Sequence, residues 1–303
     1  MYLVKAPRAT FTQLRSFAAV AELGGITRAS EALHLTQPTI SGQLRELSES
    51  LGVELLMPSG RGVALTDEGR QLQATVAAMF SEWRNFEETV ADLRGLARGT
   101  LRIAGVTTTE YFLAQWLKPF AAAYPGIDID LAIENRDAVV RRLEQDQDDV
   151  AVMMMPPSKL SLETMSVMDN PLVLIAPINH PWSLSKTVPF KTWASASLLM
   201  REQGSGTRQA ALEFFEAKRV EPLIRMTLGS NEAIKHAVAA GLGLAIISRH
   251  TLAAKPEREG LCILPAAGLP IKRQWQLVWR RDRQLPRVAA RFVEFMRQSS
   301  ALL

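Results

Sequence analysis

Apolar side chains recur at helical spacing between Gly25 and Gly52, and this pattern predicts two short helices joined by a polar turn. We expect Thr27 to cap the first helix and Thr36 to cap the second, whose first turn tolerates Pro38 because no N–H is needed there. The residues predicted to form the two buried faces are Ile26, Ala29 and Leu33, followed by Ile40, Leu44, Leu47 and Leu51.

The second helix carries short polar side chains away from its apolar stripe, mostly near its N-terminal end. These residues are Thr36, Gln37, Pro38, Thr39, Ser41, Gln43 and Arg45. Glutamine can pair with an adenine edge, and serine and threonine can contact bases or phosphates. Residues at the start of a recognition helix are the ones that reach bases. The pattern alone fits either a DNA-reading helix or an ordinary helical hairpin with a solvated face.

Two flanking segments favour the DNA-reading interpretation. A preceding helix offers a third apolar wall, formed by Phe11, Leu14, Phe17, Ala18 and Ala21. After Gly52, two short apolar runs around the turn at 58–62 predict a hairpin. Such a wing would place Arg61 at its tip, on the phosphate backbone or in the minor groove.

From Thr66 the pattern becomes that of one long helix, without proline or glycine between Arg70 and Arg94. An uninterrupted heptad seam is formed by Leu72, Val76, Met79, Trp83, Phe86, Val90, Leu93 and Ala97. The helix could pack on its own domain, but the strict repeat and the large Trp83 and Phe86 favour pairing with a second chain.

Beyond Gly99, strand and helix patterns alternate, which predicts mostly parallel sheets with helices on both faces. The predicted strands are LRIAGV, IDIDLAIE, VAVMMM, LVLIAP, SLLMRE, LIRMTL, LAIIS and QWQLVWR. The predicted helices span 111–124, 138–145, 208–218, 232–240 and 287–299.

Ligands of such sheets bind beyond the carboxyl ends of strands, beside helix N-termini. Four corners of this kind offer hydroxyl, amide or guanidinium groups, and together they predict a small anion between two lobes. Ordinary helix capping is the alternative for each corner taken alone. The candidate ligand-binding residues are Thr107, Thr108, Asn135, Gln203, Ser205, Gly206, Thr207, Arg208 and Asn231.

The stretches FTQLRSFAAVAELGGITRASEALHLTQPTISGQLRELSESLGVELL and GVALTDEGR resemble the winged helix-turn-helix of LysR-type transcriptional regulators. Length and the later segments extend the resemblance to nearly the whole chain. It implies DNA contacts from Gln37, Pro38, Ser41 and Arg61. Many members carry arginine where this chain has Gly42, so one DNA contact of the family is missing here.

The implied fold class is α/β, with an N-terminal winged helix-turn-helix, a long linker helix and a C-terminal periplasmic-binding-protein-like effector domain of two α/β lobes. The chain is expected to cross between the lobes near Asn170 and Ala267. The corresponding boundaries are 10–66 for the DNA-binding domain, 67–98 for the linker (dimerisation) helix, and 99–303 for the effector domain, with lobe I at 99–169 and 268–303 and lobe II at 170–267.

The resemblance also implies partners. These are double-stranded promoter or operator DNA, a second chain in a homodimer or homotetramer, RNA polymerase, and a small, anionic metabolite as effector in place of a cofactor. The segments from Glu110 to Pro157 and GSGTR look like the subgroup that controls carbon-fixation genes, which senses phosphorylated or dinucleotide metabolites.

Charge and cysteine content refine this interpretation. The net charge is +4, but residues 201–303 hold 17 basic and 9 acidic side chains, whereas residues 1–98 hold 10 and 11. DNA binding must therefore depend on a few specifically positioned contacts and on the pairing of two DNA-binding domains in a dimer, not on the overall charge of the domain. A single cysteine, Cys262, excludes an internal disulfide, suits a cytoplasmic location and is expected to be a buried, inert thiol. No signal peptide or membrane-spanning run is visible.

Other chemistry finds little support. The four histidines lack metal-ligand spacing, GSGTR lacks the lysine of a phosphate-binding loop, and no nucleophile elbow is present, so we expect neither a metal nor an enzyme. Two rivals remain open. One is an enzyme or solute-binding protein carrying a helical dimer module, and the other is a structural DNA-bridging protein without a ligand.

Overall fold

The computed structural model describes residues 8–59, 62–93 and 98–300 and divides into two compact units, Met1–Glu87 and Glu88–Leu303. The first unit contains three helices and a hairpin, and a fourth helix runs across the boundary. These elements are α1 (Phe11–Leu23), α2 (Ile26–Leu33), α3 (Gln37–Leu51), β1 (Leu56–Ser59), β2 (Gly62–Leu65) and α4 (Asp67–Leu93).

Local capping sets the helix boundaries of the first unit. The hydroxyl of Thr36 accepts a hydrogen bond from the backbone N–H of Thr39, as predicted for the start of α3. The prediction for α2 was wrong, because Gly25, and not Thr27, is its N-cap and supplies no side-chain bond. Leu51 was also expected to be buried, but it is exposed at the last turn of α3.

Two glycines let the hairpin approach the end of α1 and let α4 approach the segment that precedes β1. A Cβ on Gly62 would lie 2.6 Å from the carbonyl oxygen of Gly24, and one on Gly69 would lie 2.1 Å from that of Leu55. Thr66 completes this junction, since its hydroxyl donates to Glu54 O and accepts from the Gly69 N–H. The TDEG segment thus joins the hairpin to α4 through backbone contacts that only glycine permits.

The heptad seam of α4 divides into two parts. Val76 is 1% exposed and, with Leu72 beside it, belongs to the core of its own unit, so the interpretation of this part as a pairing surface was wrong. Trp83 and Phe86 are 50% and 57% exposed and form an aromatic row with Phe11. Met79 is exposed beside them, Val90 is half-buried, and the Leu93 side chain and Ala97 lie outside the described part of the chain.

The second unit has two five-stranded sheets. The strands are β3 (Gly99–Val106), β4 (Ile127–Glu134), β5 (Val150–Met153), β6 (Leu162–Asp169), β7 (Leu172–Pro177), β8 (Leu198–Arg201), β9 (Ile224–Leu228), β10 (Leu244–Ser248), β11 (Leu261–Ile263) and β12 (Gln274–Arg280). The α-helices are α5 (Leu113–Ala123), α6 (Arg136–Glu144), α7 (Phe190–Ala194), α8 (Gly206–Ala217), α9 (Asn231–Ala239) and α10 (Arg287–Ser300), with short 3-10 helices at Thr107–Tyr111, Pro181–Leu184, Arg249–Thr251 and Pro256–Glu259.

Strand order is β4-β3-β5-β12-β6 in one lobe and β11-β7-β10-β8-β9 in the other. The sheets are mixed and not mostly parallel as predicted, because β12 runs antiparallel to β5 and β6, and β7 runs antiparallel to β10 and β11. The reversed strands, β7 and β12, are the ones that follow the two crossings between the lobes. Sequence periodicity missed β6, β11 and the short α7.

Two crossing segments lie side by side between the lobes. The backbone N–H of Asn170 donates to Arg273 O at 2.7 Å, and Leu172 and Ile271 exchange backbone hydrogen bonds. The chain passes from β6 to β7 at 170–171, where the first crossing was expected. The second was expected near Ala267, but that residue still donates to Val188 O inside lobe II, and the chain crosses at 271–273.

The Gly69 junction generates a stability prediction. We expect Gly69→Ala to lower the free energy of unfolding of the first unit by about 1–3 kcal/mol, because the added methyl group meets the Leu55 carbonyl. Gly42→Ala is the matched control, since nothing lies within 4 Å of a Cβ there, and it should stabilise helix α3 by about 0.5–1 kcal/mol. Calorimetry of the full chain measures both; equal melting behaviour of the two variants would contradict the close approach.

Candidate DNA-reading helix and effector cleft

The polar face of α3 is open to solvent. Its exposed residues are Thr36, Gln37, Pro38, Thr39, Ser41 and Arg45. Arg45 is 3.9 Å from Glu49, and both side chains are largely exposed, so this ion pair leaves the guanidinium available to another anion. Arg61, predicted for the tip of the hairpin, lies outside the described residues.

Gln43 differs from the other predicted DNA contacts. Its carbonyl oxygen accepts a hydrogen bond from the buried hydroxyl of Ser16 on α1 at 2.5 Å, and the side chain is only partly exposed. The bond orients Gln43 against α1 and uses one lone pair of its carbonyl oxygen. The amide N–H groups of Gln43 remain to face an external acceptor.

The carboxyl ends of the parallel strands converge at the cleft between the lobes. In lobe I, β3 pairs with β4 so that Val106 lies opposite Glu134, and β5 pairs beside them. In lobe II, β8 and β9 end together at Arg201 and Leu228. The predicted corners therefore meet at one place in space, as the rule for open sheets requires.

A small cavity of about 10 Å³ lies between these corners, about the room of one water molecule. Thr107, Thr108 and Arg136 line it from lobe I. Ser205, Gly206 and Thr207 line it from lobe II, at the N-terminus of α8. This end of the helix carries a partial positive charge and unpaired N–H groups, so the cavity is suited to an anion.

Capping distinguishes this helix from its neighbours. Asn135 accepts from the Ala138 N–H and Ser230 from the Ala233 N–H, both at 3.0 Å, so these side chains act as ordinary caps. Ser205 holds the same N-cap position of α8 but makes no side-chain capping bond. Its hydroxyl is therefore not used by the helix.

Arg201 was missed by sequence reasoning, because it ends a predicted strand. Its side chain is 1% exposed and binds both carboxylate oxygens of Glu202, at 2.8 and 3.0 Å. It also donates to Asn231 at 2.6 Å and, across the cleft, to the hydroxyl of Thr107 at 3.0 Å. Asn231 in turn donates to Thr108 at 3.3 Å. The predicted hydroxyls of lobe I thus contact lobe II in this closed arrangement.

Three predicted ligand contacts, Asn135, Arg208 and Gln203, are not among the residues that line the cavity. Asn135 is the cap described above, and its neighbour Arg136 lines the cavity instead. Arg208 donates a hydrogen bond to Arg201 O at 2.8 Å and lies 3.5 Å from the Thr227 hydroxyl. Its side chain therefore lies against β8 and β9. Gln203 is exposed outside the cavity lining.

A second contact between the lobes lies at the 3-10 helix after β3. The hydroxyl of Tyr111 donates to the Glu232 carboxylate at 2.5 Å, and Lys235 binds Glu232 at 2.8 Å and Glu259 at 2.9 Å. Burial and the bond to Glu232 raise the pKa of Tyr111 above its usual range. Burial raises the pKa of Glu232, but the hydrogen bonds from Lys235 and Tyr111 outweigh it, so the net shift is downward.

The described residues offer little other chemistry. No group of three histidine, cysteine, aspartate or glutamate residues among them could hold a metal ion. No helix in the described ranges is long and apolar enough to cross a membrane. Cys262 is half-buried on edge strand β11 rather than fully buried, and burial raises the pKa of its thiol, which disfavours the reactive thiolate.

Comparison with known proteins identifies the family. Residues 11–70 match the bacterial regulatory helix-turn-helix proteins of the lysR family, and residues 94–301 match the LysR substrate binding domain. The chain belongs to the LysR family. This LysR-type protein is a DNA-binding transcriptional regulator with an effector-binding domain, and it is not an enzyme.

Two of its relatives are named as RuBisCO operon transcriptional regulators. The transcriptional activator CmpR of Synechocystis sp. is 38% identical over 95% of both chains. The RuBisCO operon transcriptional regulator of Allochromatium vinosum is 39% identical, with 95% of this chain and 96% of the relative covered. The regulatory domain of Synechocystis CcmR, solved in complex with 2-PG, matches 67% of this chain and 98% of its own, with 35% identity and a TM-score of 0.64.

The Tyr111 contact generates a prediction about this regulator. Tyr111→Phe should speed amide exchange of the 3-10 helix 107–111 and of the first turn of α9 severalfold, because one bond between the lobes is lost. Tyr124→Phe is the matched control, since that ring packs on Phe120 and Phe295 within lobe I. Hydrogen exchange read by mass spectrometry measures both variants.

The same contact should be insensitive to pH over a wide range. A lowered pKa keeps Glu232 ionised below the pH at which an ordinary glutamate carboxyl takes up a proton, and a raised pKa keeps Tyr111 protonated above the pH at which an ordinary tyrosine ionises. Protection of these amides from exchange in the wild type should therefore be lost only at more acidic or more alkaline pH than those ordinary ionisations. Equal exchange in Tyr111→Phe and the wild type would show that this bond does not hold the lobes together.

Proposed function

We propose that this regulator binds a small anionic metabolite between its two lobes and thereby changes how a pair of its DNA readers contacts the operator. In this proposal residues 10–66 read DNA, 67–98 pair two chains, and 99–303 bind the effector. The observation that carries it is the N-terminus of α8, where the unused Ser205 hydroxyl and the Arg136 guanidinium line one cavity.

The chemistry of the cavity favours a phosphorylated carboxylic acid. The side chain of Arg136 is 14% exposed, and its guanidinium lies 3.1 Å from the carboxylate of Asp137. Because Asp137 is half-exposed, this ion pair compensates the positive charge of Arg136 only in part. The α8 N-terminus and several hydroxyl groups complete a site for an oxyanion. CcmR binds 2-PG (2-phosphoglycolate) in its regulatory domain, and other relatives are named as RuBisCO operon regulators, which supports an effector of this class.

Binding must be coupled to movement of the lobes. The cavity holds about one water molecule, so a ligand of several heavy atoms requires the closed contacts at Thr107 and Thr108 to loosen. A ligand shifts such an equilibrium only through its differential affinity for the two arrangements. We infer that the effector replaces contacts that Arg201 and Asn231 make to these hydroxyls.

DNA binding is proposed for the exposed face of α3. Its contacts are Thr36, Gln37, Pro38, Thr39, Ser41 and Arg45, with the amide of Gln43 as a donor and Arg61 from the hairpin. Pairing of two chains is assigned to the exposed seam residues Met79, Trp83 and Phe86, which form an apolar patch of the kind that marks interfaces. A homotetramer, contact with RNA polymerase and a cytoplasmic location complete the proposal.

Gly42 provides a test of the DNA-facing orientation. Gly42→Arg should strengthen operator binding about tenfold and steepen the salt dependence by about one counterion per reader, because the side chain adds a phosphate contact. Gly42→Gln is the control, since it adds length and helix propensity without charge. Gel-shift titrations across several salt concentrations measure both. An unchanged slope for the arginine variant would place this face away from DNA.

A serine pair tests the effector site. Ser205→Ala should weaken binding of 2-phosphoglycolate about five- to tenfold with little change in melting temperature, because the hydroxyl does not cap α8. Ser230→Ala should do the reverse, lowering the free energy of unfolding by about 1 kcal/mol while leaving affinity nearly unchanged. Titration calorimetry and thermal melts separate the two effects. Failure of the wild type to bind any phosphorylated acid would overturn the proposed ligand class.

A further inference from the structure

Two tryptophans, Trp193 and Trp275, are fully buried, and they differ in how their indole N–H groups are used. The Nε1 of Trp193 donates to Ala267 O at 3.1 Å. The Nε1 of Trp275 has no acceptor among the residues that the structure describes. Buried N–H groups are nearly always paired, because an unpaired one loses its hydrogen bond to water without replacement. The unpaired N–H of Trp275 therefore requires an explanation.

The position of Trp275 supplies one. It lies on β12, directly after the second crossing at 271–273, and its ring packs 5.2 Å from that of Phe112. Trp275 is also one of the residues that line the cavity between the lobes. The unpaired donor is therefore carried by a residue of the proposed effector site.

The cavity wall has two chemically different parts. One part carries Arg136, the threonine hydroxyls and the N-terminus of α8, which suit an oxyanion. The other part is apolar and consists of Val106, Met153, Met154 and Met155, with Trp275 beside them. In this second part the indole N–H is the side-chain donor available to a ligand within the described lining. A ligand with one anionic group satisfies the first part only.

We propose that Trp275 donates a hydrogen bond from Nε1 to the bound effector and selects ligands that carry a second oxygen acceptor besides the anionic group. This inference rests on the proposed function, since it concerns the same site. A phosphorylated two- or three-carbon acid meets both requirements, because its phosphate and its carboxylate are separate acceptors. Inorganic phosphate meets only the first.

The experiment compares two ligands and three proteins. Titration calorimetry measures 2-phosphoglycolate and inorganic phosphate binding to the full-length wild type, Trp275→Phe and Trp279→Phe. Phenylalanine keeps an aromatic ring in place while removing the N–H. Trp279 lies on the same strand, is only partly buried and does not line the cavity, so it is the matched control.

We expect Trp275→Phe to bind 2-phosphoglycolate about tenfold more weakly while its weak affinity for phosphate stays the same, because one hydrogen bond to a charged acceptor is lost. Trp279→Phe should match the wild type with both ligands. Operator binding without ligand should be equal in all three proteins, which confirms that the variants are folded.

A second readout is made on the wild-type protein itself. In wild-type protein labelled with ¹⁵N-tryptophan, the Trp275 indole resonance, assigned by its absence from the spectrum of Trp275→Phe, should shift on addition of 2-phosphoglycolate and not of phosphate. Wild-type binding with an unmoved indole resonance, or equal affinity of Trp275→Phe, would overturn the inference and leave the proposed function intact. Absence of binding by the wild type would overturn both.

Discussion

The closed arrangement of the effector domain depends on the buried guanidinium of Arg201. A charge that is 1% exposed is costly unless its hydrogen bonds are satisfied, and Arg201 meets this requirement with Glu202 and Asn231 from its own lobe and with Thr107 from the other. Glu202 compensates its charge within lobe II, and the hydrogen bond to Thr107 is made only when the lobes are together. If the lobes separate, Arg201 loses the Thr107 hydroxyl as a hydrogen-bond acceptor. An oxyanion in the cleft is a chemically suitable acceptor to take its place, so the chemistry of the ligand and the arrangement of the lobes are connected.

The first crossing segment between the lobes also contacts this cavity. The buried amide of Asn170 donates to the sulfur of Met154 at 3.1 Å and accepts from the hydroxyl of Ser248 at 2.6 Å. Met154 lines the cavity, so the first crossing segment contacts a side chain of the cavity wall. Side chains packed this densely do not deform continuously, and a small displacement at the site favours a discrete change of arrangement.

The DNA-reading unit is organised by backbone contacts. Gly62 and Gly69 lie against the carbonyl oxygens of Gly24 and Leu55, so the hairpin packs on the end of α1 and the start of α4 packs on the segment before β1 without intervening side chains. This leaves α3 to present its polar face, with Gln43 oriented by Ser16. A long helix that begins at such a rigid junction can transmit the geometry of chain pairing to the reader, because it has no flexible linker at its start.

Local signals in the sequence determined much of this protein. Helical spacing identified α1 to α4, the Thr36 cap and the carboxyl-end corners, because caps and periodicities depend on neighbouring residues. Local pattern could not separate Val76 from Trp83, since both occupy one heptad seam and only the packing of α1 to α3 buries the first. It could not tell that Ser230 caps its helix while Ser205 does not, nor that Arg201 reaches across the cleft. Those outcomes, like the unpaired indole of Trp275, depend on residues that are distant in the chain, and only the tertiary structure brings them together.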